Sequence, residues 1–154
     1  MLPLSSAMIN YSNDDLTVVM ELSTGILRAA WAKPLLTGSL IDSYQYLLDK
    51  AESNGCCRFW HLDLRMSIWP AATFMQWLTD TFAPLATQRL GGPVFIACWV
   101  TPKHRPHVEH VLTTAMQQRG ADVQFYPQFF DKEPLARAWL LAKKALNPAG
   151  QRAA

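Results

Sequence analysis

The sequence predicts an α/β domain built on a single mixed β-sheet. The N-terminal strands are antiparallel, the C-terminal block is parallel, and about four helices pack against the sheet. Three observations predict this. An alternating segment turns back on itself through Ser23-Thr24-Gly25, as a hairpin does, with Gly25 free to take a positive φ. Residues 58–64 (RFWHLDL) and 94–100 (VFIACWV) carry large or apolar groups on both faces, as parallel strands covered by helices do. Strands and helical segments then alternate, giving three strand–helix–strand units with right-handed crossovers.

The chain has 154 residues, the size of one ordinary domain, and half of them are apolar. Residues 1–146 are read as a single domain and 147–154 (NPAGQRAA) as a disordered tail. Net charge is +2, and the basic residues are spread among acids. No Lys/Arg run points to nucleic acid. Three cysteines, two of them adjacent (Cys56, Cys57), argue against a disulfide framework and for a reducing compartment. The N-terminal MLPLSSAMIN lacks the pattern of a secretory signal. The longest apolar run, residues 94–100, is far short of the ~20 residues of a membrane span. The expected address is the cytoplasm.

Taken in order, residues 7–11 form a first strand, 16–22 an alternating one, and 26–33 its antiparallel return. In that return Leu27, Ala29 and Trp31 face in and Arg28 faces out. Ser39 and Asp42 resemble a capping box, and Leu40, Tyr44, Leu47, Leu48 and Ala51 follow at helical spacing. Strand 58–64 comes next. Pro70 suits a first helical turn, and Phe74, Trp77, Leu78, Thr81, Phe82 and Leu85 make one stripe. Pro84 should interrupt that helix near Asp80. After strand 94–100, a helix opens at Pro106, buries Val108, Val111, Leu112, Ala115 and Met116, and stops at Gly120. Residues 122–126 read as a half-exposed strand near an edge. Asp131 caps a last helix whose expected buried stripe is Leu135, Ala138, Trp139, Ala142 and Leu146.

Several features in this order carry a resemblance: the antiparallel opening, Leu62-Asp63-Leu64-Arg65 ending an apolar strand, Trp77-Leu78 with Phe82-Ala83-Pro84, the strand 94–100, and Phe130-Asp131 ahead of Ala138-Trp139-Leu140. Over roughly residues 8–146 the chain resembles the SpoIIAA-like family. These proteins are relatives of the STAS (anti-sigma-factor-antagonist) domains and, more distantly, of lipid-binding CRAL-TRIO-type domains. The resemblance implies a STAS-like fold and a regulatory or binding role without catalysis. STAS antagonists carry a phosphorylatable serine in an Asp-Ser-Ser-Gly-type turn. Here the turn reads Asp63-Leu64-Arg65-Met66-Ser67-Ile68-Trp69-Pro70, and Ser67 lies near that position without matching the motif. A kinase-switched antagonist is therefore not expected.

Two candidate surfaces follow. Asp63 and Arg65 close the central strand, where open α/β sheets hold ligands. Met66, Ser67, Ile68 and Trp69 extend this end into an apolar contact loop for a protein partner or for self-association as a homodimer. Lys103, His104, Arg105 and His107 form a basic cluster suited to an anionic group, such as the head of a small apolar or lipid ligand. At 100° per residue, His104, His107 and His110 cannot all reach one metal ion from a regular helix. His61 and Asp63 share a strand face, but no nucleophile accompanies them. No cofactor or metal is expected. The expected function is a STAS-like interaction module, with a small-ligand or lipid carrier as the alternative.

Overall fold

Six strands hydrogen-bond into one mixed sheet whose spatial order is their chain order. The computed structural model describes residues 7–66, 72–118 and 123–147. Strands β1 (Met8–Asn10), β2 (Leu16–Glu21) and β3 (Ile26–Trp31) form an antiparallel meander. Gly25 takes φ 71° at the β2–β3 turn and donates its N–H to the Glu21 carbonyl at 2.8 Å. The other strands, β4 (Phe59–Asp63), β5 (Val94–Trp99) and β6 (Phe125–Phe130), continue in parallel from β3. The mixed α/β architecture is the one the patterning predicts.

Helix α1 (Thr37–Ser53) joins β3 to β4. The connection from β4 to β5 is a helical rod made of α2 (Ala72–Trp77), a π-helical turn (Leu78–Phe82) and α3 (Ala83–Leu90). Helix α4 (Arg105–Gln117) leads to β6, and α5 (Glu133–Leu146) follows it. The larger core lies between the sheet and the helices from α1 to α4, with Trp60, Leu62, Ile96, Leu47, Phe82 and Leu112 among its members. Helix α5 covers the other face, where Ala136 and Leu140 meet Ile26, Phe59, Phe95 and Ala97. Strand β4, paired on both edges and clothed on both faces, is thus the centre of the domain.

Several local expectations are corrected. Helix α1 starts at Thr37 with the extended Leu36 as its N-cap and no side-chain capping bond, so Ser39 and Asp42 lie inside the helix. The break expected near Asp80 is a widened turn rather than an end. The Ala83 N–H reaches back five residues to the Leu78 carbonyl just before Pro84, which has no N–H to give. Phe74, Leu78 and Phe82 of the expected stripe are buried, the buried face also takes in Thr79, Ala83, Ala86 and Leu90, and Thr81 is exposed.

Strand β6 runs through Pro127 to Phe130 instead of ending at 126. It pairs only with β5, and an edge strand tolerates a proline. At α5, Asp131 does not cap the helix; it pairs with Arg105 at 3.4 Å, and Lys132 holds the N-cap position without a side-chain bond. Of the expected apolar stripe only Trp139 packs inward: Ala138 and Ala142 are exposed, as are Leu135 (55%) and Leu146 (74%). Beside the buried Ala136 and Leu140, the inward side carries Arg137, paired with Glu21 at 2.7 Å, and Lys144, which bonds the Thr24 carbonyl. The expected helix starts and stops at Pro70 and Gly120 lie outside the described residues.

Candidate functional site

Strand alternation sends consecutive residues of β4 to opposite faces. Leu62, and Leu64 just beyond the strand, point to the helix side, while His61 and Asp63 point to the α5 side. Two concavities therefore flank the same strand end.

The helix-side concavity is a cavity of about 310 Å³. Leu62, Ile96 and Cys98 form its floor, and Tyr44, Phe74 and Leu112 belong to its walls. Lys33, Arg65, Thr101 and His104 add polar groups to the lining. Tyr44 is fixed by stacking on Trp31 at 5.0 Å and by the edge of Phe82 at 5.5 Å. Burial raises its hydroxyl pKa well above the usual phenol range, so it stays protonated. Tyr44 itself is one of the residues that line the cavity. Burial likewise pushes the Cys98 thiol up to about 12.

Asp63 and Arg65 do come together. The guanidinium grips the carboxylate through Nε at 3.0 Å and Nη2 at 2.9 Å, and the Arg65 backbone N–H adds a third bond at 3.1 Å. Burial opposes ionisation of Asp63, but these bonds outweigh it and hold its pKa below the ordinary value. The Arg65 guanidinium lies 3.4 Å from the centroid of the Trp99 ring. Met66 beyond it is 58% exposed. Ser67, Ile68 and Trp69 lie outside the described residues.

The basic cluster is divided. Of its four members only His104 lines the cavity, and its Nδ1 sits 2.8 Å from the Thr101 hydroxyl. Arg105 is drawn away to Asp131, and Lys103 and His107 are exposed outside the lining. Lys33 and Arg65 are the cationic side chains in the lining, and sequence spacing alone did not bring them to His104.

On the α5 side, Glu21 is 3% exposed and accepts from Arg28 at 2.8 Å, Arg137 at 2.7 Å and Thr24 at 2.9 Å. His61 lies beside this group, its Nε2 3.2 Å from a Glu133 carboxylate oxygen. Nε2 is buried and has no hydrogen-bond partner among the described residues. Sequence reading missed this cluster because Glu21 and Arg137 are 116 positions apart. The available signal was the hairpin alternation, which puts Glu21 and Arg28 on one outer face.

Among the described residues no group of three His, Cys, Asp or Glu is placed to hold a metal ion, and no helix is long and apolar enough to cross a membrane. No protein-family model, curated protein or solved structure matches the chain.

Proposed function

We propose that this chain is a non-catalytic binding module that holds a small apolar molecule in the cavity beside β4. A polar or anionic end of that molecule would meet Lys33, Arg65 and His104. One observation carries the reading: an apolar cavity of about 310 Å³ at the carboxyl ends of β4 and β5, with a few convergent polar groups in its lining. Ligand sites in open α/β sheets gather at such strand ends, and their volumes begin at about 300 Å³. The lipid-binding branch of the resemblance supports the same reading.

The test is binding of anilinonaphthalene sulfonate, an apolar ring system with one anionic group, to the full chain and to Leu112→Trp. Helix α4 presents Leu112 to the cavity, so the larger side chain should fill it and weaken binding at least tenfold without changing the circular dichroism. Equal affinity in both proteins places the probe elsewhere and sinks the reading. So does a native protein that binds no such probe and yields no co-purified ligand on organic extraction.

A second reading rests on Met66, whose exposed side chain opens the 66–69 segment. We infer that this segment is the contact surface of a STAS-like regulatory module, facing a protein partner or a second copy. Trp69→Ala should then weaken association, and an unchanged association constant removes this reading. The three free thiols favour a cytoplasmic address.

A further inference from the structure

We propose that the groove beside α5 is a second binding site, which takes a small zwitterion of the amino-acid class. The ammonium end lies at Glu133 and His61, and the carboxylate end at Arg28 and Arg137. This groove is on the opposite face of the sheet from the apolar cavity, so the proposal does not depend on the ligand reading given above.

The space exists because α5 covers only part of its face of the sheet. The helix packs over β4, β5 and β6 and over Ile26 at the start of β3. Beyond it, β2 and β3 present short side chains: Thr17 pairs with Ala30, and Val19 lies next to Arg28. Between this low floor and the first turns of α5 lies a concavity of about 430 Å³, within the size range of small-molecule sites.

The charged groups around it differ in what they have left to offer. The Asp63 carboxylate already accepts three bonds from Arg65. Glu21 is likewise engaged by Arg28, Arg137 and Thr24. There, however, two guanidinium groups meet one carboxylate. Arg28 gives Glu21 one of its five N–H donors, and its side chain is 46% exposed. A second carboxylate fits that surplus of charge and donors.

His61 and Glu133 make the opposite demand. His61 is 4% exposed, and its Nε2 is buried without a hydrogen-bond partner among the described residues. A ring N–H bonds the residue's own backbone carbonyl, so Nδ1 carries the proton. Burial keeps the ring neutral, which leaves a lone pair on Nε2. That lone pair stands 3.2 Å from a Glu133 carboxylate oxygen. Two acceptors face each other and need a donor. An ammonium has three N–H groups and no acceptor, and it carries the charge that answers Glu133. Glu133 is the member within reach of the groove, with 32% of its side chain exposed.

The spacing selects one molecule with both charges. Glu133 and Arg137 are four residues apart on α5, about 6 Å along its axis. A lone cation there also meets Arg137, and a lone anion also meets Glu133. A short zwitterion satisfies both ends.

The experiment is saturation-transfer NMR on the full chain with each standard α-amino acid, then with the methyl ester and the N-acetyl derivative of any that binds. At least one amino acid should bind and shift the His61 ring resonances. Either derivative should bind at least tenfold more weakly. Glu133→Gln, which removes the charge and keeps the shape, should weaken binding to the same degree. So should Thr17→Trp, which fills the groove from an exposed position. Both variants should keep native circular dichroism and native affinity for anilinonaphthalene sulfonate, which separates this site from the apolar cavity. A chain that binds no amino acid overturns the proposal. A methyl ester that binds as tightly as its parent acid makes this a simple amine site and overturns it. Binding that survives both substitutions lies elsewhere on the protein and overturns it as well.

Discussion

The indole N–H of Trp31 donates to the Ser43 hydroxyl at 2.9 Å, tying the end of β3 to the middle of α1. The same hydroxyl donates to the Leu40 carbonyl at 2.6 Å. Both side chains are buried, so the indole has no water to turn to. Ser43→Ala leaves a buried donor unpaired and should cost about 1–3 kcal/mol. Urea unfolding checks this; a loss well under that range would mean that water reaches the indole.

Glu21 organises the opposite face of the sheet. Burial opposes its ionisation, but the bonds from Arg137, Arg28 and Thr24 outweigh it, and its pKa lies below the ordinary 4.5. A depressed carboxyl stabilises the fold fully above that ordinary value, and the contribution is lost as pH falls through the folded pKa. Glu21→Gln should therefore destabilise the protein by about 2 kcal/mol at neutral pH. The difference from the native chain should shrink in acid. A difference that stays constant down to low pH would show that the carboxylate charge contributes nothing.

His61 behaves in the opposite chemical sense. Burial lowers its pKa from the ordinary 6.5, against the pull of the Glu133 carboxylate. The unfolded chain then takes up the proton more readily than the folded one. Its contribution is complete above about pH 6.5 and is lost as pH falls from there towards the folded pKa. The ring resonances of His61 should titrate below 6.5, and His61→Asn should flatten the stability slope over that interval. A midpoint at or above 6.5 would mean that Glu133, not burial, governs the ring.

The three thiols should separate by reactivity. Cys56 is half-buried, whereas Cys57 and Cys98 are buried and their pKa values are raised, that of Cys98 to about 12. Alkylation under mildly basic conditions should modify Cys56 first and reach Cys98 only on unfolding. Peptide mass spectrometry reads the order. Rapid modification of Cys98 in the native protein would show that solvent passes freely through the cavity.

Much of the fold was legible in the sequence because burial of apolar groups dictates it. The hairpin, the doubly covered β4 and β5, and the helical rods all follow from spacing. What failed was the facing of α5, where apolar residues marked the outside. Hydrophobic periodicity assumes that charge points to water, and it cannot foresee that Arg137 is held inward by Glu21 on β2. At the cavity, Leu62 and Arg65 were visible as a strand end. His104 was visible only as part of a basic cluster that the turn after β5 then divides. Lys33 and Tyr44, brought to the lining by β3 and α1, had no local signature.

The agreement between chain order and sheet order bears on how the protein is made. As the chain leaves the ribosome, each new strand finds its neighbour already synthesised, so the sheet can grow from one edge without waiting for a distant segment. The α5 side differs: Phe59, Phe95 and Ala97 emerge long before the residues of α5 that will shield them. Birth of this protein thus includes an interval in which one face is finished and the other is bare. An interrupted message would release a sheet with a sticky back.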